Sequence, residues 1–248
     1  MRKLLLFVAL ATFSMTAFGQ ATVWNVGNDA TNFPVSAGIG AGPDKSVYVN
    51  GLGIHTGSAT NTNMGQVEAN GKTFTSAENV NYEFVNRFKF NGAGLSTDDF
   101  TDGLPNLLMP KQRYLTIDVA GNSTLYFIGT SGSSSSARKM FVTDGEKLIG
   151  TLDYPDGTLK EGKVEYTGDA KKLYIFCNAA INLYYISATN TLVSSTNAVK
   201  VNKTIVGEKF FDVLGREVSH TTKGLVIKKT IYEDGTSSTL KSYIRKED

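Results

Sequence analysis

The residues with catalytic chemistry in this 248-residue chain are few and widely separated. There are two histidines, His55 and His220, and one cysteine, Cys177. Acid–base or nucleophilic catalysis needs such a group beside a second acid, base or metal ligand, and the two histidines lie far apart in sequence. We therefore interpret both histidines as solvated residues of a loop or linker. The apolar run LYIFC predicts that Cys177 is a buried thiol.

The densest group of carboxylates is formed by Asp98, Asp99 and Asp102 in LSTDDFTDG. Carboxylate and carbonyl oxygens are the ligands that Ca²⁺ prefers, so this group is a candidate metal site, although it lacks EF-hand spacing. The alternative is an ordinary Asp-rich turn. No other cofactor is predicted, because nucleotide-binding loops, Cys/His metal spacings and hydrolase motifs are absent from the sequence.

A second set of residues has the chemistry needed to bind sugars. Exposed aromatic rings stack on pyranose faces, fixed polar groups meet hydroxyls, and a guanidinium matches the carboxylate of an acidic sugar such as galacturonate. The candidate glycan-binding residues are Trp24, Arg113, Tyr114, Tyr126, Arg138 and Lys139. For the aromatic residues the alternative is burial in the core, and for Arg138, at the end of a Ser-rich loop, it is a structural ion pair.

The elements that must position these side chains are predicted to be short antiparallel strands. Apolar and polar residues alternate in YEFVNRFKF and RYLTIDV, which is typical of half-buried strands. Helical periodicity is absent after the first twenty residues. Dipeptides that favour type I′ hairpin turns recur along the chain: Asn50-Gly51, Asn70-Gly71, Asn91-Gly92, Asp102-Gly103, Asp144-Gly145, Asp156-Gly157 and Asp234-Gly235. The sequence therefore predicts an all-β protein, an antiparallel two-sheet β-sandwich of jelly-roll type followed by a small C-terminal β-module.

The N-terminus has the features of a secretory signal peptide. Met1-Arg2-Lys3 precedes the apolar run Leu4–Ala11, and Ala17-Phe18-Gly19 offers a cleavage site. The run is too short to span a membrane, so no transmembrane segment is expected after cleavage. We predict a signal peptide at 1–19, the sandwich at 20–190, a linker at 191–203 and the β-module at 204–248. The protein is expected to be secreted or at the cell surface, with the periplasm as a further location.

The net charge of the chain is small. Twenty-five Lys and Arg against 23 Asp and Glu give a formal charge of +2. Nucleic-acid and anionic-membrane binding rest on strong positive fields, so neither class of partner is predicted.

The tail resembles the C-terminal domain of secreted Bacteroidetes proteins. Its segments FFDVLGREV, KGLVIKK and STLKSYI follow that family's order, although the Pro-Asn-Pro that often opens the domain is absent. The matching positions are Phe211, Asp212, Gly215, Arg216, Lys223, Gly224, Ile227, Asp234, Gly235 and Lys241. In that family the domain is a sorting signal read by the type IX secretion system, which implies secretion machinery as a partner. The alternative is a small structural β-module.

The main domain resembles the non-catalytic β-sandwich found on Bacteroidetes polysaccharide-degrading proteins, pectate lyases especially. The resemblance rests on WNVGN, VYVNGLGIHT, FVNRFKFNGAG and LYIFCNAAINLYYISAT. It implies a non-catalytic, polysaccharide-binding or accessory role, with a polysaccharide or cell-surface glycan as partner. Two alternatives stay open. One is a cell-surface structural or adhesion protein that binds another protein, and the other is a glycan-active enzyme whose paired carboxylates are distant in sequence.

Overall fold

The computed structural model describes residues 21–192, 205–212, 214–219, 222, 224–232 and 237–244. The chain divides into two compact units between residues 197 and 198. The predicted signal peptide, most of the predicted linker, His220, Lys223 and Gly235 lie outside the described residues. Within the described ranges, no helix is both long and apolar enough to cross a membrane.

The first unit consists of short strands joined by turns. Its strands are β1 (Thr22–Trp24), β2 (Ser46–Val49), β3 (Leu52–Gly57), β4 (Gln66–Thr75), β5 (Asn81–Lys89), β6 (Phe100–Thr101), β7 (Leu104–Pro105), β8 (Gln112–Val119), β9 (Ser123–Ser131), β10 (Arg138–Thr143), β11 (Leu148–Tyr154), β12 (Lys160–Tyr166), β13 (Lys171–Cys177) and β14 (Ile181–Ala188). One 3₁₀ turn, Thr97–Asp99, precedes β6.

Twelve of these strands form two six-stranded sheets, and β6 and β7 pair with each other. The first sheet has the order β12-β9-β14-β5-β4, with β1 paired to β14, and the second has the order β11-β10-β13-β8-β3-β2. All of their pairings are antiparallel. The antiparallel two-sheet β-sandwich predicted from the sequence is confirmed.

The inner faces of the two sheets share one hydrophobic core. In β8, Leu115, Ile117 and Val119 are buried and contribute to it, as the alternation predicted. Phe88 of β5 and Phe90, which directly follows β5, contribute from the side of the other sheet. Cys177 lies in the same core, where burial raises the pKa of its thiol well above the usual value, and this confirms its prediction as a buried residue.

The outer face of the second sheet is half covered. Phe141 of β10 and Phe176 of β13 point away from the shared core and pack with Leu95 and Phe100 of the segment that crosses over them. Their ring centroids lie 5.5 Å apart, and that of Phe100 lies 5.9 Å from Phe141. The covering segment therefore hides the part of this face around Phe141 and Phe176 and leaves open the part formed by β2, β3, β8 and the start of β13.

The second unit is a four-stranded antiparallel sheet. Its strands β15 (Ile205–Phe211), β16 (Glu217–Val218), β17 (Gly224–Tyr232) and β18 (Ser237–Ile244) have the order β16-β15-β17-β18. Asp212 builds the turn between β15 and β16 by accepting hydrogen bonds from the backbone amides of Leu214 and Arg216 and from Arg216 Nε, at 2.9, 3.0 and 2.7 Å. Gly215 has a φ of 79°, which favours glycine. The predicted motif residues Asp212, Gly215 and Arg216 thus form one turn.

Trp24 connects elements of both sheets and should be a major contributor to stability. It pairs with Ile186 of β14, and its indole donates to the carbonyls of Val49 and Asn50 at 3.0 and 3.1 Å, in the turn between β2 and β3. We expect W24F to lower the free energy of unfolding by about 2–4 kcal/mol, because it removes buried volume and leaves carbonyls unpaired. Urea unfolding followed by circular dichroism measures this, since Trp24 is the single tryptophan of the chain.

The control for W24F is V85A. Val85 is 61% exposed on β5, so its truncation should change the free energy of unfolding by no more than about 0.5 kcal/mol. Equal unfolding midpoints for W24F and the wild type would contradict the role of the indole.

Candidate functional site

The open half of the second sheet's outer face forms a groove. Its cavity has a volume of about 340 Å³. We call it the tyrosine groove, and its lining residues are Ser46, Tyr48, His55, Met109, Tyr114, Thr116, Lys172 and Tyr174. Met109 belongs to the chain just before β8, and the other residues are contributed by β2, β3, β8 and β13.

Strand alternation and cross-strand register bring these side chains together. Because Leu115 and Ile117 point into the core, Tyr114 and Thr116 point outward. The register then pairs His55 with both Ser46 and Tyr114, and Thr116 with Tyr174. The groove is therefore assembled across strands that are far apart in sequence.

Four rings make a continuous row across the groove. The centroids of Tyr48 and His55 lie 5.5 Å apart with an edge-on geometry, those of His55 and Tyr114 lie 4.6 Å apart and stacked, and those of Tyr114 and Tyr174 lie 6.1 Å apart. The row crosses four adjacent strands, a span of roughly 14 Å at the usual strand spacing. Tyr48, on the edge strand β2, is 50% exposed. It offers the most accessible ring.

His55 is a buried, neutral member of the row. Its side chain makes hydrogen bonds through both ring nitrogens, Nδ1 with Ser46 Oγ at 2.7 Å and Nε2 with Thr116 Oγ1 at 2.9 Å. Burial, with a smaller effect of the nearby Lys172 charge, lowers the pKa of His55 to about 4. The interpretation of His55 as a solvated loop residue was wrong, because β3 extends through it and lies between β2 and β8.

The charges at the groove are paired. Lys172 lies opposite Asp118 in the β13–β8 register, and its ammonium donates to the two carboxylate oxygens at 2.7 and 2.8 Å. Both side chains are partly exposed, at 44% and 43%. This arrangement leaves the ammonium with an opposite charge in direct contact.

Gly53 provides the space in which His55 and Thr116 meet. A Cβ at this position would lie 2.3 Å from Thr116 Oγ1 and 2.5 Å from His55 Nε2. Such contacts are far inside van der Waals distance, so a larger residue would separate the two hydrogen-bonded side chains.

The predicted glycan-binding residues are dispersed, and of the six only Tyr114 lines the tyrosine groove. Trp24 is 1% exposed, so its prediction as a sugar-stacking ring is corrected: the ring is part of the core. Tyr126 lies on the outer face of the first sheet, where its hydroxyl donates to Glu161. It shares a smaller cavity of about 170 Å³ with Tyr82, Tyr185 and Lys163.

The three predicted cationic residues each have a partner within the chain. Arg113 donates to the carbonyl of Asn61 at 3.0 Å, Arg138 donates to the carbonyl of Ala180, and Lys139 forms an ion pair with Asp153 at 2.6 Å. None of these residues lines the tyrosine groove.

The predicted metal-binding carboxylates do not converge. Asp99 accepts a hydrogen bond from the Ser96 amide and forms an ion pair with Lys111 at 3.0 Å, which lowers its pKa. Asp102 begins the turn into Gly103 with a φ of 51°. In the part of the chain that the structure describes, no group of three or more His, Cys, Asp or Glu side chains is placed to hold a metal ion.

Sequence reasoning missed Tyr48, His55 and Tyr174 as groove residues. A signal for Tyr174 was present, since it alternates with the buried Leu173 and Ile175 and so points outward. The same alternation along β8, where Leu115 is buried, places Tyr114 outward. What the sequence lacked was the strand order that makes these outward residues neighbours.

Comparisons with known proteins do not assign a family. No protein-family profile matches the chain, and no curated protein does. Among solved structures, the CBM36-1 domain of a multidomain xylanase from the hindgut metagenome of Trinervitermes trinervoides is 9% identical with a TM-score of 0.29, over 49% of this chain and 86% of that one. The carbohydrate-binding module CBM6cm-2 from Cellvibrio mixtus lichenase 5A, in complex with cellotriose, is 14% identical with a TM-score of 0.22, over 48% and 84%.

An exo-β-1,3-galactanase from Phanerochaete chrysosporium is 14% identical with a TM-score of 0.27, over 50% of this chain and 27% of that chain. All three structures are distant from this chain in both sequence and structure. The fold assignment rests on the sheets described above, and any function rests on the groove.

His55 should make stability depend on pH in a defined window. The unfolded chain binds a proton on this histidine near pH 6.5, whereas the folded protein does so only near pH 4. The free energy of unfolding should therefore fall as the pH drops from about 6.5 to 4, by up to about 3 kcal/mol from this group. Urea titrations at several pH values should show a shallower decrease for H55Q than for the wild type. Identical slopes would contradict the buried, neutral histidine.

Gly53 should tolerate no side chain. We expect G53A to destabilise the protein by about 1–3 kcal/mol, because the added methyl group separates His55 from Thr116. The matched control is G71A on β4, where the nearest atom to an added Cβ is a carbonyl oxygen 3.6 Å away. Thermal unfolding of the two variants compares them directly. A G53A variant as stable as G71A would show that the contact is less tight than described.

Proposed function

We propose that this protein is an exported, non-catalytic module that binds a polysaccharide in the tyrosine groove. The observation that carries the proposal is the row of Tyr48, His55, Tyr114 and Tyr174 on the open part of the second sheet. Aromatic rings beside fixed hydroxyl groups are the combination that sugar rings require, since a pyranose has both an apolar face and polar edges.

The shape of the groove favours a chain of sugars over a monosaccharide. The aromatic row extends roughly 14 Å across four strands, and Tyr48 stands on the edge strand, with no further strand beyond β2 in the second sheet as described. A ligand that contacts Tyr48 and Tyr174 at once must span the whole row. This supports an oligosaccharide segment of a polymer as the ligand.

The ionisable groups of the groove support a binding role over catalysis. Glycoside hydrolysis normally uses two carboxyl groups that flank the scissile bond, and the groove-lining residues include no Asp or Glu. Both nitrogens of His55 have hydroxyl partners, and the nearby Asp118 is bound to Lys172. These hydrogen bonds and this ion pair stabilise the side chains that form the groove.

An acidic, pectin-like glycan is the finer prediction that the sequence suggested. Its support is now reduced to Lys172, because Arg113, Arg138 and Lys139 lie outside the groove and have partners elsewhere. Binding of a polysaccharide as such does not depend on these three residues.

Export is proposed on the N-terminal and C-terminal signals of the sequence. The charged and apolar pattern of residues 1–19 supports translocation, and the turn built by Asp212, Gly215 and Arg216 supports a defined β-module. A sorting role of this module, read by secretion machinery, is proposed on the resemblance of the tail. A purely structural module would be built in the same way.

The proposed function is tested by truncating the exposed ring. Y48A should weaken glycan binding about tenfold, because it removes the accessible aromatic surface, and it should leave stability nearly unchanged. Affinity electrophoresis through gels that contain xylan, mixed-linkage glucan, galactan or pectin gives the comparison.

The matched control is Y82A, the same substitution on the outer face of the first sheet. Its binding should equal that of the wild type. The proposal fails if the wild-type protein is retarded by none of the glycans, or if Y82A loses binding while Y48A retains it.

A further inference from the structure

The charges around the tyrosine groove define which class of polysaccharide it fits. Lys172 is the cation among the groove-lining residues, and both oxygens of Asp118 accept hydrogen bonds from it. A ligand carboxylate that approached Lys172 would meet Asp118 at the same point. The ion pair therefore offers an anionic ligand no net attraction.

A further carboxylate lies close enough to affect the groove. Asp44 precedes β2; burial is the main cause that raises the pKa of Tyr114, and the negative charge of Asp44 is the smallest contribution to that increase. The Lys45 ammonium next to it donates to the carbonyl of Ala41. This carbonyl is neutral, so Lys45 keeps its charge, and Asp44, Lys45, Asp118 and Lys172 together sum to a formal charge of about zero, which gives anions no net attraction to this face.

His55 does not supply the missing positive charge. Its nitrogens are both engaged by hydroxyl groups, and Tyr48 and Tyr114 enclose the ring. Protonation would turn the accepting ring nitrogen into a donor, so the hydroxyl that donates to it would have to turn and accept instead, within a largely buried site. The imidazole therefore serves the groove as a neutral packing group.

The remaining polar groups of the groove are uncharged hydroxyls. Those of Tyr48, Tyr114 and Tyr174 make no hydrogen bond within the described part of the protein. A hydroxyl both donates and accepts, as does each hydroxyl of a sugar, whereas a carboxylate only accepts. Three such groups beside the aromatic row match a ligand that presents hydroxyls along its length.

From these charges and hydroxyls we infer that the tyrosine groove takes an uncharged polysaccharide and discriminates against a polyanionic one. This inference rests on the proposed function and names its ligand class. It differs from the acidic, pectin-like glycan that the sequence favoured, because that prediction used cationic residues that the fold places elsewhere.

The experiment compares polymers that share a backbone and differ in charge. One pair is highly methyl-esterified galacturonan and the same polymer after de-esterification, and the other is hydroxyethylcellulose and carboxymethylcellulose. For the pair whose backbone the full chain binds, its affinity for the uncharged member should exceed that for the charged member by about fivefold or more. The uncharged polymer should therefore retard the protein more strongly. Retardation should also be insensitive to added salt, since no charge pair forms with the ligand.

The variant D118N tests the origin of the discrimination. It removes the carboxylate that competes for Lys172, so the ratio of acidic to uncharged affinity should rise about fivefold. Asp153→Asn is the matched control, because it frees Lys139 at a partly exposed ion pair outside the groove. That variant should leave the ratio unchanged.

The outcomes separate the two proposals. Stronger, salt-sensitive binding of the acidic members overturns the inference and leaves the proposed polysaccharide binding standing. An unchanged ratio in D118N overturns it as well. If no polymer of either charge binds, while circular dichroism shows a folded protein, the proposed function itself fails.

Discussion

Each sheet of the sandwich has one apolar face that must be shielded from water. The burial of these two faces against each other determines which side chains of the first unit point outward. Side chains alternate along a strand, so burying Leu115, Ile117 and Val119 of β8 commits Tyr114, Thr116 and Asp118 to the opposite face. A register slip of one residue would exchange the two sets. The hydrophobic effect thus fixes the orientation of the groove residues without acting on them directly.

The outer face of the second sheet shows how a covered surface and an open one coexist on the same strands. Phe141 and Phe176 are large and apolar, and the segment from Leu95 to Phe100 shields them. Tyr48, Tyr114 and Tyr174 carry hydroxyls that tolerate water, so their part of the face needs no cover. The boundary of the groove follows from this difference in polarity between neighbouring rings.

His55 shows the limit of local reasoning. Its sequence neighbours are polar and glycine-rich, which suggested a solvated position, yet it is buried between strands that supply Ser46 and Thr116 as partners. For the cationic residues, local chemistry suggested a binding role, and the fold places them outside the groove. Arg113 and Arg138 have the chemistry to bind an acidic sugar, but backbone carbonyls of distant loops accept their hydrogen bonds. In both cases the deciding partners are more than forty residues away or on another strand.

The sequence by itself determined the fold class, strands such as β5 and β8, and the inward direction of Leu115, Ile117 and Val119 in β8, because alternation and turn chemistry are properties of neighbouring residues. It also indicated Cys177 as a core residue. Only the tertiary structure decided that β2, β3, β8 and β13 lie side by side. This strand order produces the tyrosine row, the His55 contacts and the Lys172–Asp118 pair. The physical reason is that strand order depends on packing the whole core, and no local pattern encodes which distant strand becomes a neighbour.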